Sequence, residues 1–334
     1  MDSRSRRATS MSDRETVDFL ATVPLLEGQQ EADLVELARV MRRRTLPEGH
    51  IVWRQGEDAR EMLVIVKGTV SVLLDAPGDR AVEIARAGPG ETLGEIGLLG
   101  GDGHAASLRV AETATVLALG RLDFAALLAG RHPSAFSLRR RLALLLTARV
   151  RNQLRHLAVS LGGEIAYPAA EVAPPEYADL EACRAPDSKY VRRMATFHDF
   201  EPLALWGFLT SGSYVMCPPG RLLLAEGAQS PAYYLTINGA VEQVLVRGDR
   251  RIRVGLAGPG KAFGYEGLVD GRPSPVTAIA RERALLLLVP RELFGTLFHG
   301  EEAVSRGFLE AIRKDQVITL REMLRPFTRL AASV

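Results

Sequence analysis

The chain has 334 residues, of which 47% are hydrophobic and 25% charged, and its formal net charge at pH 7 is +2. This composition is typical of a soluble globular protein of about two domains and excludes a wholly disordered chain. The near-neutral charge excludes a global electrostatic attraction to nucleic acid.

Targeting and redox signals are sparse in this sequence. Cys183 and Cys217 are far apart and match no metal-binding or redox spacing. No apolar run approaches the ~20 residues of a membrane span, and the N-terminal segment has no signal-peptide hydrophobic region. We therefore expect a cytoplasmic protein without a membrane span, a metal or another cofactor.

The first elements along the chain are a polar tail, a helical segment and a set of short strands. Residues 1–13 are polar and expected to be disordered. Hydrophobic residues then recur at helical spacing from Val17 to Val40, with interruptions at Pro24 and Gly28. Glycine and proline turns separate strands predicted at 51–54, 62–66, 70–74, 82–85 and 114–119. This order predicts a jelly-roll-like barrel preceded by helices.

A long helix is predicted next, from Ser134 to Leu161. Apolar residues recur along it at three- and four-residue steps and form a seam that includes Leu146, Val150, Leu154 and Leu157. The seam predicts a homodimer built on these four residues. The alternative is that the helix packs against its own roll.

The same helix is basic. No Asp or Glu occurs between Ala125 and Gly163, whereas seven arginines do, at positions 131, 139, 140, 141, 149, 151 and 155. This patch either contacts an acidic partner, nucleic acid or a membrane surface, or is a solvated helix face.

The remaining chain repeats the order of the first part. Residues 164–189 contain several prolines and no clear period, and are expected to form a linker. Strand and turn patterns then recur, followed by a helical pattern from Val304 to Leu324 that meets Pro326. Only eight residues follow Pro326, too few for a helix-turn-helix, so DNA binding of that kind is not expected.

Two pairs of matching stretches show that the chain is a tandem duplication. LGEIGLLGGDGHAASLR (93–109) matches FGYEGLVDGRPSPVTAI (263–279), and PEGHIVWRQG (47–56) matches PPGRLLLAEG (218–227). The spacing differs by one residue, so a single deletion separates two copies of one domain. We place the copies at residues 14–163 and 190–334.

The repeated stretch resembles the phosphate-binding cassette of cyclic nucleotide-binding domains, as found in the catabolite activator family and in regulatory subunits of cyclic-AMP-dependent kinase. That cassette is a Gly-Glu-hydrophobic-small-Leu-Leu run, a short loop, then Pro-Arg-small-Ala-Ser/Thr. The resemblance implies that the glutamate accepts a hydrogen bond from the ribose, the arginine clamps the cyclic phosphate and the hydroxyl adds a donor. Glycine lets the backbone approach the ligand, and amides at the start of a short helix donate to the anion.

The fold implied by this resemblance is mainly β with flanking helices, an α+β class. It consists of two jelly-roll-like β-rolls in tandem, each with N-terminal helices and a C-terminal helix.

The first cassette keeps most of this pattern. Its candidate ligand-binding residues are Gly94, Glu95, Ile96, Gly97, Leu98, His104, Ala105, Ala106, Ser107 and Arg109. His104 replaces the arginine of the family, and a lost charge-assisted contact costs about 1.5 to 3 kcal/mol. A protonated imidazole, or Arg109 on the same strand face as Ser107, would restore part of it. Alternatively, His104 is an ordinary loop residue and Arg109 a solvated strand charge.

The second cassette is degenerate. Its candidate positions are Gly264, Tyr265, Glu266, Gly267, Arg272, Ser274 and Thr277. Tyr265 replaces the glutamate and Ser274 the arginine, so both signature charges are missing. Glu266 and Arg272 lie one and two places out of register, and they compensate only if the loop is rebuilt. The first roll is therefore the better candidate for ligand binding.

These patterns favour a non-enzymatic regulatory protein that senses cAMP or cGMP in its first roll and relays occupancy to an unidentified protein partner. The sequence contains no HExxH, GxSxG or Walker motif to indicate catalysis. One alternative is a scaffold whose rolls have lost ligand binding. Another is a kinase regulatory subunit, because the segment from Arg6 to Ser10 resembles an inhibitor sequence. The long helix and linker between the rolls argue against that second alternative.

Overall fold

A computed structural model of the chain describes residues 13–76, 80–101, 103–130, 133–160, 176–177, 179–197, 200–247 and 250–331. The segment from Arg6 to Ser10 and residues 164–175 of the predicted linker lie outside the described residues. Among the residues described, no helix is both long and apolar enough to cross a membrane.

The chain divides into two compact units, Met1–Arg141 and Leu142–Val334. The point of division lies inside the helix Pro133–Ser160, whereas the sequence analysis placed the domain boundary after that helix. The larger, later part of the helix belongs to the second unit, where Gln316 Nε2 donates to Ala143 O at 2.9 Å and to Thr147 Oγ1 at 2.8 Å.

The described residues of the first unit form one antiparallel sheet. Helices precede its first strand and follow its last strand in the sequence. Its helices are α1 (Asp13–Ala21), α2 (Glu31–Val40), α3 (Glu95–Gly100), α4 (Arg121–Ala129) and the start of α5 (Pro133–Ser160), with a 3-10 helix at Pro24–Leu26. Its strands are β1 (Arg42–Leu46), β2 (Ile51–Trp53), β3 (Glu61–Ala76), β4 (Arg80–Ala87), β5 (Thr92–Leu93) and β6 (Ser107–Gly120). The order is β1-β6-β3-β4, with β2 also on β6 and β5 on β3.

The two strands predicted at 62–66 and 70–74 are one continuous strand, β3. Its pairing with β6 shifts register around Gly68, which has a φ of +86°. A side chain at Gly68 would collide with the carbonyl oxygen of Thr113, so only glycine fits this crossing. The glycine that resembled a turn in the sequence is therefore an irregularity within a strand.

Alternation along β3 and β6 builds the core of the first roll. Leu63, Ile65, Val70, Val110 and Val116 are all at most 1% exposed and belong to one cluster. Every residue of 62–65 and 116–119 is buried, so both faces of the two strands are covered there, and alternate side chains point into this core.

The described residues of the second unit form two antiparallel sheets. Its helices are the end of α5, α6 (Ser188–Arg192), α7 (Pro202–Leu209), α8 (Glu266–Val269), α9 (Arg291–His299) and α10 (Ala303–Ala331), with a 3-10 helix at Ala195–Phe197. Its strands are β7 (Glu181–Ala182), β8 (Ser213–Cys217), β9 (Leu222–Leu224), β10 (Ala232–Asn238), β11 (Val241–Arg247), β12 (Arg250–Ala257), β13 (Ala262–Phe263), β14 (Thr277–Ala280) and β15 (Ala284–Pro290). The sheets are β13-β10-β15-β8-β7 and β12-β11-β14-β9. The predicted class, mainly β with flanking helices in two tandem jelly-roll-like rolls, is confirmed.

Two neighbouring tyrosines of β10 mark the two cores of this unit. Tyr234 lies in the core inside the roll, where its ring stacks on Phe263 with centroids 4.9 Å apart. Tyr233 points to the opposite face, into the core shared with the helices, and its ring lies edge-on to Phe308 of α10. Both cores are therefore rich in aromatic rings.

Two segments of the second unit differ from the sequence analysis. Part of the predicted linker is structured, since β7 pairs with β8 and α6 begins after Asp187, whose carboxylate accepts from the backbone N–H of Lys189. At the other end, α10 continues past Pro326 to Ala331 instead of stopping there.

The apolar seam of α5 is not available as a dimer contact. Leu146 and Val150 are fully buried in the single chain, Leu154 is 1% exposed and Leu157 is 7% exposed. The homodimer predicted on these four residues is therefore corrected: the seam packs within its own chain. A periodic apolar stripe shows that a helix face is covered, but not what covers it.

Several arginines of this helix have partners within their own unit. In the first unit, Arg139 donates to Gly130 O at 2.8 Å, and Arg141 pairs with Glu27 at 2.9 Å. In the second, Arg151 forms a buried ion pair, described below. These contacts leave less free positive charge for an acidic partner than the sequence implied.

Candidate functional site

The two cassettes share one backbone frame. In each copy, the residue at the family's arginine position is held by a reciprocal pair of backbone hydrogen bonds. The bonds are His104 N to Glu57 O (2.8 Å) and Gly56 N to His104 O (2.9 Å) in the first copy, and Ser274 N to Ala228 O (2.8 Å) and Gly227 N to Ser274 O (3.0 Å) in the second. His104 and Ser274 therefore occupy equivalent places, as the alignment of the repeats predicted.

The first cassette brings α3 close to the strands through two glycines. Gly94 has a φ of +96° and lies where a side chain would meet Glu61 O at 2.8 Å, and Gly97 lies where one would meet the Cβ of Ala59 at 2.6 Å. Glu95, the first residue of α3, is fully buried. Ile96 and Leu98 are partly buried on the same helix.

His104 is buried at 5% exposure and stacks on Trp53 of β2. The ring centroids are 3.9 Å apart and the planes differ by 6°, so the two rings are in face-to-face contact. The structure therefore places His104 inside the roll and not on an exposed loop surface.

The rest of the first cassette lies at the end of the loop and the start of β6. Ser107 is buried, and its Oγ accepts from the backbone N–H of Gln55 at 2.8 Å. Ala105 and Ala106 are partly exposed.

Arg109 is exposed, and its charge acts on a neighbouring carboxylate of the sheet. The pKa of Glu83 is lowered first by hydrogen bonds from Arg86 and Ser71, and Arg109 contributes a smaller electrostatic part. The structure brings all the other first-cassette candidates together around α3 and its loop, and sets Arg109 on a charged part of the sheet surface.

The second cassette keeps the backbone frame, but the side chain at its glutamate position bonds to α10. Tyr265, at the glutamate position, is 1% exposed and donates from its hydroxyl to Asp315 Oδ2 of α10 at 2.7 Å. The other oxygen of Asp315 accepts from Ala262 N at 3.2 Å. Burial raises the pKa of Tyr265 well above its usual value and that of Asp315 to about 6. Tyr265 thus points into the core shared with the helices.

Gly264 and Gly267 keep their places in the second cassette, where both are buried. Gly264 has a φ of +83°, and a side chain on Gly267 would meet the Oγ of Ser230 at 2.7 Å. The glycines therefore preserve the close approach of α8 to the strands even though the charged residues are gone.

Glu266 and Arg272 do not rebuild the lost charges. Glu266 is 4% exposed, and burial raises its pKa to about 7, with Asp315 and Asp270 adding to the rise and Arg151 opposing it. Arg272 is exposed. Its backbone N–H donates to Asp270 Oδ1 at 3.1 Å.

The loop of the second cassette has also lost donors. The Oγ of Ser274 donates to Val276 O at 2.8 Å, so this hydroxyl is turned back on its own loop. Pro275, at the position of Ala105, has no backbone N–H to offer an anion. Thr277 corresponds to Ser107, and its Oγ1 accepts from Glu226 N at 3.1 Å.

Sequence reasoning missed four residues of these sites. Trp53, Asp315 and Arg151 lie far along the chain from the cassettes they touch, and no local pattern indicates them. Pro275 was detectable, because a proline aligned with an amide-donating position removes the donor whatever the fold does.

Comparison with known proteins identifies the repeated unit. The family model described as "Cyclic nucleotide-binding domain" matches residues 43–131 and 214–301. The matched ranges contain both cassettes and together cover just over half of the chain.

Individual relatives match over shorter stretches. A 106-residue stretch is 38% identical to "Cyclic nucleotide-gated potassium channel mll3241" of Mesorhizobium japonicum, covering 32% of this chain and 28% of the channel. Another is 35% identical over 106 residues to "cAMP-dependent protein kinase type II regulatory subunit" of Drosophila melanogaster, covering 32% of this chain and 27% of that subunit. The chain thus spans less than a third of the length of either relative.

Among solved structures, the regulatory domain of Toxoplasma gondii PKA with cAMP matches at a TM-score of 0.34 and 15% identity. The match covers 86% of this chain and 93% of that one.

Proposed function

The chain belongs to the cyclic nucleotide-binding domain family, with two copies of the domain, and from that premise we propose that it is a non-enzymatic regulatory protein. It takes cAMP or cGMP as a ligand in its first roll alone. The occupied state is relayed by helix movement to a protein partner. We place it in the cytoplasm, where its free thiols, such as buried Cys217, stay reduced.

The observation that carries this proposal is the asymmetry of the two cassettes. The first keeps a buried carboxylate at Glu95 and two partly exposed alanines whose backbone can donate. The second has Tyr265 bonded to Asp315 in the place of the carboxylate, and Pro275 in the place of a donor. A cyclic nucleotide needs an acceptor for its ribose and donors for its phosphate, and the first cassette alone supplies both.

The relay is supported by the position of α5. This helix begins in the first unit, and its larger part, from Leu142, belongs to the second. A displacement of α5 on ligand binding would therefore act on buried residues of the second unit, such as Leu146. The protein partner would bind differently to the two positions of α5.

Calorimetric titration with cAMP and cGMP tests the proposal. We expect one site per chain, weakened by about 1.5 to 3 kcal/mol in Glu95→Ala because the ribose loses its charged acceptor. His104→Arg should tighten binding about tenfold or more, since it restores a charge-assisted contact to the phosphate. Arg272→Ala, an exposed change in the second cassette, is the control and should leave the affinity unchanged.

A scaffold without ligand is the second candidate, and the aromatic stack in the first roll favours it. Trp53 and His104 already occupy space beside the cassette. Failure of both nucleotides to bind the wild type, His104→Ala and His104→Arg would overturn the sensor and leave the scaffold as the remaining candidate.

A further inference from the structure

The Trp53–His104 stack lies where a ligand of the first cassette would approach the backbone. A methyl group added to Gly94 would lie 3.0 Å from Cη2 of Trp53, and one added to Gly97 would lie 3.2 Å from Nδ1 of His104. Glycines in such a cassette allow close approach to the backbone. In this structure, the groups that approach are two aromatic rings of the chain itself.

The second roll provides an internal comparison. Leu224 stands at the place of Trp53, and Ser274 at the place of His104. Leu224 packs beside Gly264 as Trp53 does beside Gly94, and the ring of Tyr234, stacked on Phe263, also lies there. Ser274 bonds to its own loop, so no ring stands at the place of His104. Among the described residues, a cassette-loop ring stacked at this position therefore occurs in the roll that keeps the buried glutamate and not in the other roll.

We propose that the imidazole of His104 is a built-in occupant of the first site, and that a cyclic nucleotide binds by displacing it from Trp53. This inference rests on the proposed function and names the residues that control access to that site. The imidazole is a flat nitrogen heterocycle whose ring centroid lies 3.9 Å from that of Trp53. It therefore covers the face of the indole ring as part of a purine ring would. Its backbone is fixed by hydrogen bonds to Glu57 and Gly56, so the displacement is a side-chain rotation and the loop stays in place.

The stack contributes to the free energy needed to displace the imidazole, and so to a lower affinity. A stacked aromatic pair contributes about 0.5 to 1.5 kcal/mol, which corresponds to about two- to tenfold in the dissociation constant. His104→Ala removes the competing ring, so it should bind cAMP about two- to tenfold more tightly than the wild type. If His104 instead holds the ligand, the same change weakens binding. His50→Ala is the matched control, because His50 is exposed in the same unit.

Tryptophan fluorescence gives an independent readout. The chain has two tryptophans, and Trp206→Phe leaves Trp53 as the only one. Trp206 is 63% exposed, so this change leaves the core intact. On titration with cAMP, the emission of Trp53 should change and saturate at the calorimetric dissociation constant. In His104→Ala/Trp206→Phe, the starting emission should already be altered.

The outcomes separate this inference from the proposed function. Binding without a change in Trp53 emission, or weaker binding by His104→Ala, overturns the displacement and leaves the sensor standing. Absence of binding in the wild type, His104→Ala and His104→Arg alike overturns both. Tighter binding by His104→Ala with a saturable emission change supports both, provided that circular dichroism shows each variant folded.

Discussion

Arg151 of α5 and Asp270, just after α8, form a bidentate ion pair inside the second unit. Arg151 Nε lies 2.5 Å from Asp270 Oδ2, and a terminal guanidinium nitrogen lies 2.9 Å from Oδ1. The side chains are 4% and 13% exposed, so both charges are largely removed from water. The pair joins the long helix to the degenerate cassette.

We expect Asp270→Ala to destabilise the second unit by about 3 kcal/mol or more, because it leaves the Arg151 guanidinium buried without its main counter-charge. Replacing both partners with apolar residues, Arg151→Met/Asp270→Leu, should recover most of that loss. Urea unfolding measures both changes. Arg39→Ala, which breaks an exposed pair with Glu36, is the control and should cost less than about 1 kcal/mol. A loss near the control value for Asp270→Ala would contradict the prediction.

The stability of the second unit should depend on pH through Glu266. Its folded pKa, about 7, is above the ordinary value of 4.5, chiefly because of burial. The folded state therefore binds a proton that the unfolded state releases, and stability falls as the pH rises from about 4.5 to 7. The facing charges are Asp315, Arg151 and Asp270.

Glu266→Gln should flatten this dependence, since the amide has the shape of the neutral acid and does not titrate. Melting temperatures of wild type and variant, measured from pH 5 to pH 8, should differ most at pH 8, where the variant is the more stable. Glu301→Gln, an exposed carboxylate of the same unit, is the control. Parallel curves for wild type and Glu266→Gln would rule out this coupling.

Tyr265→Phe should cost about 1 to 3 kcal/mol, because it removes the donor to Asp315 and leaves a buried carboxylate oxygen without that bond. Tyr190→Phe serves as the matched control. Its hydroxyl makes a long bond of 3.4 Å to Ile237 O on a side chain that is 46% exposed, so its loss should cost less than about 0.5 kcal/mol. Chemical unfolding of both variants measures the two losses in free energy of unfolding. Equal losses would show that the Tyr265–Asp315 bond stabilises the unit no more than the exposed Tyr190 bond does.

We expect Leu154→Glu to unfold the second unit. We do not expect it to convert a folded dimer into folded monomers. Leu154 is 1% exposed, so a carboxylate there loses its water and gains no partner. Val159→Glu, on the same helix at 57% exposure, should be nearly neutral. Circular dichroism and light scattering distinguish the cases. If Leu154→Glu were folded and had a lower molecular mass than the wild type, the seam would be a dimer contact after all.

The fold was predictable because its main signals are local. Short strands separated by glycine and proline turns, together with the repeat and its resemblance to a known domain, predicted two rolls with flanking helices, and the family model confirms them. The errors arose where one pattern allows two structures. Gly68 resembled a turn but sits within a strand, since the same positive φ suits both. The seam of α5 predicted burial correctly and its partner surface wrongly, because periodicity carries no information about the other side of a contact.

The sequence predicted which positions form the site, but it did not predict which side chains those positions contact. The repeat alignment placed His104 and Ser274 correctly in the frame, and the backbone bonds of both copies agree with it. The stack of His104 on Trp53 and the bond of Tyr265 to Asp315 join residues about 50 positions apart, so tertiary packing alone determines them.

The hydroxyl that ends each cassette has a second role, which bears on how such motifs persist. Ser107 accepts from Gln55 N, and Thr277 accepts from Glu226 N, so each hydroxyl fastens its strand to the preceding turn with no ligand involved. The stability gained from this bond gives Ser or Thr a structural reason to stand at this position even where the signature charges have been replaced. A cassette can therefore remain recognisable long after its chemistry has gone, and the residues that mark descent differ from those that report binding.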